Sequence, residues 1–252
     1  MRADLEGRVA LITGATGDTG MAIAKEFYAQ GASVVLTGRS EEKLQKIREK
    51  LISTPTPGTP EPLCICRDLT TPMVENVLVD QTVLHFGKLD IVVNAAAIVE
   101  GRFFAKTDDA YLGHMMHMNF NVPYNICRAA IKPMCQNKYG RIINITSIAG
   151  YMGDAAMSTY AATKGALASA TKSIAAEYAR RGITANCIAP GVIDTGSTKK
   201  LPAQRQQDIK NMIPCHRFDK PEEVAYLAAF LASERAAYIN GQQIHINGGW
   251  IR

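Results

Sequence analysis

The stretch LITGATGDTG, residues 11–20, runs from an apolar, strand-like segment into a turn bracketed by Gly14, Gly17 and Gly20. A helix-like segment follows at once. Glycines let backbone N–H groups approach a pyrophosphate closely, and the N-terminus of the next helix adds partial positive charge. The stretch therefore predicts a phosphate-binding turn, although many strand–helix junctions contain glycine for turn geometry alone.

Asp18 stands inside this turn, where a carboxylate would repel an anionic ligand. Aspartate is also a good N-cap, and its charge suits the positive end of a helix. We expect Asp18 to cap the helix with its side chain turned away from the phosphates, while Gly17 takes the permissive backbone conformation. On this interpretation, Asp18→Gly tightens binding of the anionic ligand.

Apolar segments alternate with amphipathic ones along the whole chain, and their continuous β-branched runs are typical of strands buried on both faces of a parallel sheet. Ser40 is the expected N-cap of the second helix. Repeated strand–helix units predict an α/β doubly wound parallel sheet (a Rossmann fold) in a single domain, residues 1–252. The expected strands are residues 8–13, 33–37, 62–66, 88–94, 140–146, 183–189 and 241–249.

Composition excludes several classes of protein. Hydrophobic residues make up 47% and charged residues 20%, a balance typical of soluble globular proteins. No apolar run suits a membrane span and no signal-peptide pattern is present, so we expect a cytoplasmic protein. The six cysteines form no CxxC pair, which favours free thiols over disulfides or a metal site.

Positive charge is dispersed apart from the basic segment 199–217, which argues against nucleic-acid binding. That segment fits an acidic substrate carrier, such as coenzyme A or acyl carrier protein. We favour the simpler interpretation, an exposed helix face of mixed polarity. Residues 53–62 hold four prolines and one glycine and predict an exposed loop without chemistry.

The end of the second strand carries Gly38, Arg39 and Ser40. An NAD site places an acidic residue here to bind the adenosine ribose, whereas a guanidinium is the natural partner of a 2′-phosphate. The alternative is a solvated surface arginine. We favour the phosphate role, which predicts NADP(H) over NAD(H).

Tyr160 and Lys164 are four positions apart and share one helix face. A free phenol has a pKa near ~10, and a neighbouring ammonium lowers that pKa by favouring the phenolate. Ser147 follows a strand and can hydrogen-bond the same substrate oxygen. The spacing is common by chance, but with the serine and the glycine turn it predicts a proton donor for a carbonyl oxygen.

These motifs resemble the short-chain dehydrogenase/reductase family over nearly the whole chain. TGATGDTG resembles its TGxxxGxG turn, and VVNAAAI resembles its NNAG segment. RDL, MNFN, APGVIDT and INGGW match further family segments. The chain departs from the family pattern at Asp18, Ala95, Ala97 and Asn247, and none of these positions belongs to the catalytic set.

The resemblance implies a catalytic tetrad of Ser147, Tyr160, Lys164 and Asn119, in which Asn119 holds a water against the lysine. Asp68 would contact the adenine, and Ile193 and Thr195 the nicotinamide carboxamide. The complete set of expected cofactor contacts is Gly14, Thr16, Gly17, Asp18, Thr19, Gly20, Arg39, Ser40, Asp68, Leu69, Asn94, Ala95, Ala96, Tyr160, Lys164, Pro190, Gly191, Ile193 and Thr195.

The implied reaction moves a hydride between nicotinamide C4 and a substrate carbonyl carbon. A 3-oxoacyl thioester, a cyclic ketone and a sugar-derived ketone all fit this reaction. The expected substrate pocket holds Ser147, Ile148, Ala149, Met152, Met157, Tyr160, Val192 and the segment 196–217.

Two other functions stay open at this point. They are an NAD-dependent secondary alcohol dehydrogenase and a non-catalytic NADP(H) sensor or scaffold. The Ala-rich helix 161–181 pairs with a second subunit in the family, so a homotetramer or homodimer is expected.

Overall fold

The computed structural model describes residues 4–54 and 58–251. The predicted loop 53–62 is therefore described only in part, because residues 55–57 lie outside these ranges. Within them the chain forms one seven-stranded sheet in which every neighbouring pair is parallel. The strands are β1 (Val9–Thr13), β2 (Ser33–Gly38), β3 (Leu63–Cys66), β4 (Ile91–Asn94), β5 (Gly140–Ile145), β6 (Ile183–Pro190) and β7 (Gln243–Ile246).

Nine α-helices lie in the described part of the chain, together with a five-residue π-helix, His117–Asn121, and several short 3-10 turns. Ser40 precedes the second helix and accepts a hydrogen bond from the Lys43 N–H at 3.3 Å, which confirms the predicted N-cap. The helices are α1 (Asp18–Ala29), α2 (Glu41–Ile52), α3 (Val74–Phe86), α4 (Asp109–Met116), α5 (Val122–Asn137), α6 (Ala149–Met152), α7 (Ser158–Tyr178), α8 (Ala203–Met212) and α9 (Pro221–Ala232).

Helices cover both faces of the sheet, so the central strands are buried throughout, as their continuous apolar runs predict. On one face, α1, α2 and α9 pack around Phe27, Leu44 and Val224. On the other face, α3 and α5 pack around Leu78 and Ile126. These two cores sandwich the sheet, and the predicted doubly wound fold in a single domain is confirmed.

The strand order is β3-β2-β1-β4-β5-β6-β7, so the direction of winding reverses beside β1. Strand β1 pairs with β2 on one side and with β4 on the other. The connections that leave the carboxyl ends of β1 and β4 run to opposite faces of the sheet, and this opens a crevice between these two strand ends. The fold thus brings the glycine turn and the ends of β2, β3 and β4 to one edge of the sheet.

The local structure of the glycine turn differs from the prediction. The N-cap of α1 is Gly17, with an ordinary φ of −87° and no side-chain capping bond. Asp18 is the first helical residue and not the cap. The left-handed conformation falls on Gly14, with φ of 66°, and not on Gly17.

None of the helices in residues 4–54 and 58–251 has the length and apolar character needed to cross a membrane.

Candidate active site

A cleft of about 370 Å³ opens at the carboxyl ends of β1, β2, β3 and β4. Most of its walls come from loops that directly follow these strands. The residues that line it are Gly14, Thr16, Gly17, Gly38, Arg39, Arg67, Asp68, Leu69, Thr70, Ala95, Ala96, Ala97, Ile98, His114 and Met118.

The first wall of the cleft requires glycine for steric reasons. A Cβ on Gly14 would lie 2.7 Å from the Ala96 backbone nitrogen, and a Cβ on Gly20 would overlap the Gly14 carbonyl. Thr13 Oγ1 accepts hydrogen bonds from the N–H groups of Ala95 at 3.2 Å and Ala96 at 3.3 Å. The end of β4 is therefore held by Thr13, which explains how alanines are accommodated in the NNAG-like segment.

Asp18 makes a contact that the sequence did not predict. Its Oδ2 accepts a hydrogen bond of 2.8 Å from the backbone N–H of Gly196, which is 178 positions away in the chain. Gly196 follows β6 and directly succeeds Thr195, a predicted cofactor contact. The carboxylate thus reaches across to another loop and does not cap its own helix.

Arg39 and Arg67 lie at the end of the cleft formed by β2 and β3, and both are exposed. Beside them, Asp68 Oδ1 accepts hydrogen bonds from Thr70 N at 2.9 Å and Thr70 Oγ1 at 2.8 Å. These bonds lower the pKa of Asp68, and the Arg39 charge adds to the effect. A Cβ on Gly38 would lie 2.8 Å from Thr16 Cγ2, so a larger side chain there would collide with the glycine turn.

Tyr160 and Lys164 lie on α7 as predicted, with 7% and 3% of their surface exposed. The Lys164 Nζ donates a 2.8 Å hydrogen bond to the carbonyl of Ile145 and lies 5.8 Å from the centre of the Tyr160 ring. Burial lowers the pKa of Lys164 to about 8. A lysine of this kind is poised to change its protonation state near neutral pH.

The predicted effect of Lys164 on Tyr160 is wrong for this structure. Burial raises the pKa of Tyr160, and a hydrogen bond with Ser147 only partly opposes that rise. The ammonium of Lys164 is directed to the Ile145 carbonyl and does not offset the desolvation of the phenol. The pKa of Tyr160 therefore lies above that of a free phenol, and its O–H stays protonated at neutral pH.

Asn119 is fully buried in the π-helix that joins α4 to α5. Its side-chain amide pairs with the backbone of Ile98: Oδ1 accepts from the N–H at 2.8 Å, and Nδ2 donates to the carbonyl at 2.9 Å. The residue four positions later is Pro123, which has no N–H to bond the Asn119 carbonyl as in an α-helix. The side-chain amide therefore fixes the backbone here, and Pro123 leaves the Asn119 carbonyl without a donor at the i+4 position.

Comparisons with known proteins agree with this geometry. A family described as "Enoyl-(Acyl carrier protein) reductase" matches residues 14–251. The chain is 38% identical over 248 residues to the 3-oxoacyl-[acyl-carrier-protein] reductase FabG of Rickettsia bellii, with 98% of each chain covered. It is 35% identical over 246 residues to FabG of Escherichia coli, again with 98% of each covered. Nodulation protein G of a Rhizobium species is 37% identical over 246 residues, at the same coverage.

The chain belongs to the short-chain dehydrogenase/reductase family. It is an oxidoreductase with a Rossmann fold. The residues that resemble the family motifs lie at and around the carboxyl ends of the strands. Their individual roles remain predictions.

Four predicted cofactor positions of this short-chain dehydrogenase/reductase follow or end β6. Gly191 donates its N–H to the Ile246 carbonyl at 2.8 Å, which ties the loop to β7. Thr195 Oγ1 lies 2.8 Å from Ser197 Oγ, and Ile193 is partly buried against the core. Pro190 is the last residue of β6. These residues do not line the cleft described above, and their loop is joined to the start of α1 through the hydrogen bond between Gly196 and Asp18.

Asn94 is a predicted cofactor contact whose side chain is directed elsewhere. Its Nδ2 donates to Asn144 Oδ1 at 2.8 Å, within the buried layer between β4 and β5. Asn144 in turn donates to Thr171 on α7 at 2.8 Å. The side chain of Asn94 is thus a structural link between the sheet and α7. Of the other predicted contacts, Thr16 and Leu69 line the cleft. Those that, like Asn94, do not line it are Asp18, Thr19, Gly20, Ser40, Tyr160 and Lys164.

The predicted substrate residues separate into two groups. Ala149 and Met157 pack with Tyr160, Tyr111 and Met115. Val192 instead packs beneath the basic segment, with Ile213, Phe218 and Trp250. Met152 is half exposed on α6, and Ile148 is buried.

The predicted cofactor contacts leave out seven residues that line the cleft of this reductase-family protein. Gly38 was noted only as the end of the second strand, whereas Arg67 and Thr70 carried a readable signal because they flank Asp68 and Leu69. The other four come from loops and helices whose approach to the cleft depends on tertiary packing; they are Ala97, Ile98, His114 and Met118.

Proposed function

We propose that this protein is an NADPH-dependent ketoreductase that converts the ketone of a 3-oxoacyl thioester to a secondary alcohol. One observation carries the proposal: the Ser147 hydroxyl lies near enough to the Tyr160 hydroxyl to lower its pKa, and the buried Lys164 lies one helical turn from Tyr160 on α7. The names of its FabG relatives support the thioester as substrate class.

NADPH, when bound, supplies the hydride that the carbonyl carbon receives. Tyr160 donates the proton to the carbonyl oxygen, and its raised pKa keeps that proton in place at neutral pH. Ser147 donates a hydrogen bond to the same oxygen and stabilises the negative charge that develops there. In the reverse reaction the same group would have to accept a proton as the phenolate, which its raised pKa makes scarce at neutral pH.

Lys164 binds the nicotinamide ribose and passes a proton towards Tyr160 through a water held at the Asn119 carbonyl. Its pKa of about 8 suits this relay, because both protonation states are accessible near pH 8. The amide pairing of Asn119 with Ile98 would keep that carbonyl in position.

The cleft suits the phosphorylated cofactor. Arg39 and Arg67 supply two guanidinium groups for a 2′-phosphate, and the close approach of Gly38 to Thr16 disfavours an acidic side chain at that position. Gly14 lets the turn approach the pyrophosphate, and the first N–H groups of α1 lack helical partners and suit an anion. We expect Arg39→Ala and Arg67→Ala each to weaken NADPH binding far more than NADH binding.

The description of the matching family favours a second candidate, reduction of an enoyl C=C bond. The two reactions require different proton acceptors, since an enoyl thioester takes its proton on carbon. The O–H groups of Tyr160 and Ser147 suit an oxygen acceptor better. An NAD-dependent alcohol dehydrogenase and a non-catalytic NADP(H) sensor are the remaining alternatives.

The test is an NADPH absorbance assay of the purified enzyme with acetoacetyl-CoA, crotonyl-CoA and a cyclic ketone. We expect oxidation of NADPH with acetoacetyl-CoA and little with the other two. Turnover of crotonyl-CoA alone would favour the enoyl reaction. Binding of NADPH without turnover of any ketone would favour the sensor, and a preference for NADH with an alcohol would favour the dehydrogenase.

The assembly and location are proposed on the same basis. We expect a cytoplasmic homotetramer or homodimer in which α7 packs against a second copy, through the many small residues of its surface. Sedimentation or gel filtration measures the assembly directly.

A further inference from the structure

The contact between Asp18 and Gly196 joins two segments that the proposed cofactor site needs. Asp18 begins α1, directly after the glycine turn. Gly196 lies in the β6–α8 loop, residues 191–202. The 2.8 Å hydrogen bond from the Gly196 N–H to Asp18 Oδ2 connects them directly.

The Asp18 end of this contact is held firmly. The Gly17 N–H donates to the Gly14 carbonyl at 3.0 Å, and the Met21 N–H donates to the Gly17 carbonyl at 2.8 Å. Helix α1 packs with Phe27 and Ile23 in the core. The carboxylate also sits at the positive end of that helix, where a negative charge is favoured.

The Gly196 end is equally well ordered. Thr198 Oγ1 accepts from the Thr195 N–H at 2.8 Å and donates to loop carbonyls of Ile193 at 2.9 Å and Thr195 at 2.8 Å. The Asp194 N–H donates to the Asp219 carbonyl at 2.8 Å. The hydrogen bond to Asp18 therefore links two preformed pieces of structure and does not merely order a loose side chain.

We infer that Asp18 is a positioning residue: it holds the β6–α8 loop against the glycine turn and so slows release of the nucleotide. The inference rests on the proposed cofactor site, since a nucleotide that contacts both the turn and Thr195 is bracketed by the segments that this bond joins. It also answers why a carboxylate occupies a phosphate-binding turn. The carboxylate accepts a hydrogen bond from the Gly196 N–H, and this bond keeps the β6–α8 loop closed over the site.

Asp18→Ala and Asp18→Asn separate the contact from the charge. Alanine removes the acceptor, whereas asparagine removes the charge but keeps an oxygen that can accept from Gly196. Asp80→Ala is the matched control, because Asp80 is an exposed carboxylate on α3, remote in sequence from both segments.

The first measurement is hydrogen exchange of the Gly196 amide in the enzyme without nucleotide. We expect exchange about 3- to 10-fold faster in Asp18→Ala, as befits an exposed, charge-assisted hydrogen bond, and near-wild-type exchange in Asp18→Asn and Asp80→Ala. Unchanged exchange in Asp18→Ala would overturn the inference.

The second measurement is NADPH release, followed by stopped-flow displacement. We expect release about 3- to 10-fold faster in Asp18→Ala and rescue to within about 2-fold in Asp18→Asn. Slower NADPH release from Asp18→Ala would overturn the inference. Release from Asp18→Asn as fast as from Asp18→Ala would also overturn it, because the charge of Asp18 and not its hydrogen bond would then control release. If the wild type binds no NADPH while Gly196 exchange still responds, the proposed cofactor fails and the contact stands.

Discussion

The amino ends of the strands (the amino edge) and their carboxyl ends (the carboxyl edge) differ in how a buried charge is compensated. At the amino edge, Asp90 is 1% exposed and fully engaged: it accepts from the Val9 N–H at 2.9 Å and from Lys88 Nζ at 3.0 Å, with Arg8 at 3.8 Å. At the carboxyl edge, Lys164 is just as buried but bonds only a neutral carbonyl, and its pKa falls to about 8. The first edge stabilises its charges, and the second leaves a charge available for chemistry.

Aromatic groups show the same contrast. Tyr139, at the amino edge, lies between the guanidinium groups of Arg8 at 3.5 Å and Arg141 at 4.1 Å, and its hydroxyl donates to the Ala232 carbonyl at 2.8 Å. Tyr160, at the carboxyl edge, has a raised pKa because its phenol is buried, and the nearby Ser147 hydroxyl only partly opposes that rise. The difference indicates that stability and reactivity are placed at opposite ends of the same strands, and four predictions test that division.

Tyr160→Phe should show the largest effect, confined to activity. Removal of the proton donor should lower kcat at least about 10³-fold, while the unfolding temperature and NADPH binding stay close to wild type. Steady-state assays and thermal unfolding measure the two effects. Tyr124→Phe, at an exposed position on α5, is the control. Near-normal activity of Tyr160→Phe would contradict the proposed mechanism.

Asp90→Ala should show the reverse pattern, a large loss of stability without loss of catalysis. The substitution leaves the Val9 N–H and two cationic side chains without their buried partner, which costs about 3 kcal/mol. Urea unfolding measures the loss, and kcat of the folded enzyme should not change. Asp80→Ala should cost less than about 0.5 kcal/mol. A fall in kcat comparable to the loss of stability would show that the two edges are coupled.

Lys164→Met should abolish activity and yet stabilise the protein at neutral pH. A lysine pKa lowered from 10.5 to about 8 means that the fold disfavours the ammonium by up to about 3 kcal/mol. The unfolded chain binds more protons between these values, so wild-type stability rises with pH from about 8 to 10.5. The advantage of Lys164→Met, about 1–3 kcal/mol at pH 7, should therefore shrink over that range. A Lys164→Met variant less stable than wild type at pH 7 would refute the prediction that the fold disfavours the Lys164 ammonium.

Asp219→Asn should change stability in a way that depends on pH, without an effect on catalysis. Burial and the neighbouring Glu223 raise the pKa of Asp219 to about 7, whereas Arg217 holds the pKa of Glu223 at about 2. The folded state then binds more protons between pH 4 and 7, so wild-type stability falls as pH rises through that window. The variant should unfold at a higher temperature than wild type at pH 8, and at nearly the same temperature at pH 5. An equal difference at both pH values would contradict the assignment.

Local pattern predicted most of the architecture. The continuous β-branched runs predicted all seven strands, because a strand that is buried on both faces has apolar side chains at consecutive positions. Ser40 was identifiable as an N-cap because capping involves residues only three apart. Tyr160 and Lys164 were paired for the same reason, since a helix brings positions i and i+4 together.

The errors concern quantities that depend on distant residues. Asp18 was predicted to be an N-cap because it lies at the start of a helix. Its hydrogen-bond donor is instead Gly196, 178 positions away in the chain. The pKa of Tyr160 depends on burial by Ile98, Tyr111 and Met157, which sequence spacing does not reveal. The pairing of β4 with β5 also places the Asn94 side chain against Asn144, which sequence spacing does not reveal, and its cofactor contact stays a prediction.

By itself, the sequence determined the strand and helix pattern, the glycine turn and the identity of the Ser147, Tyr160 and Lys164 set, because each follows from steric or periodic rules that act over a few residues. Only the tertiary structure decided which loop closes on that turn, which arginines share its cleft and how strongly each ionisable group is desolvated. Those properties arise where segments remote in the chain meet at one edge of the sheet. The aspartate in TGATGDTG belongs to this second group: its residue type is read from the sequence, and its partner comes from the fold.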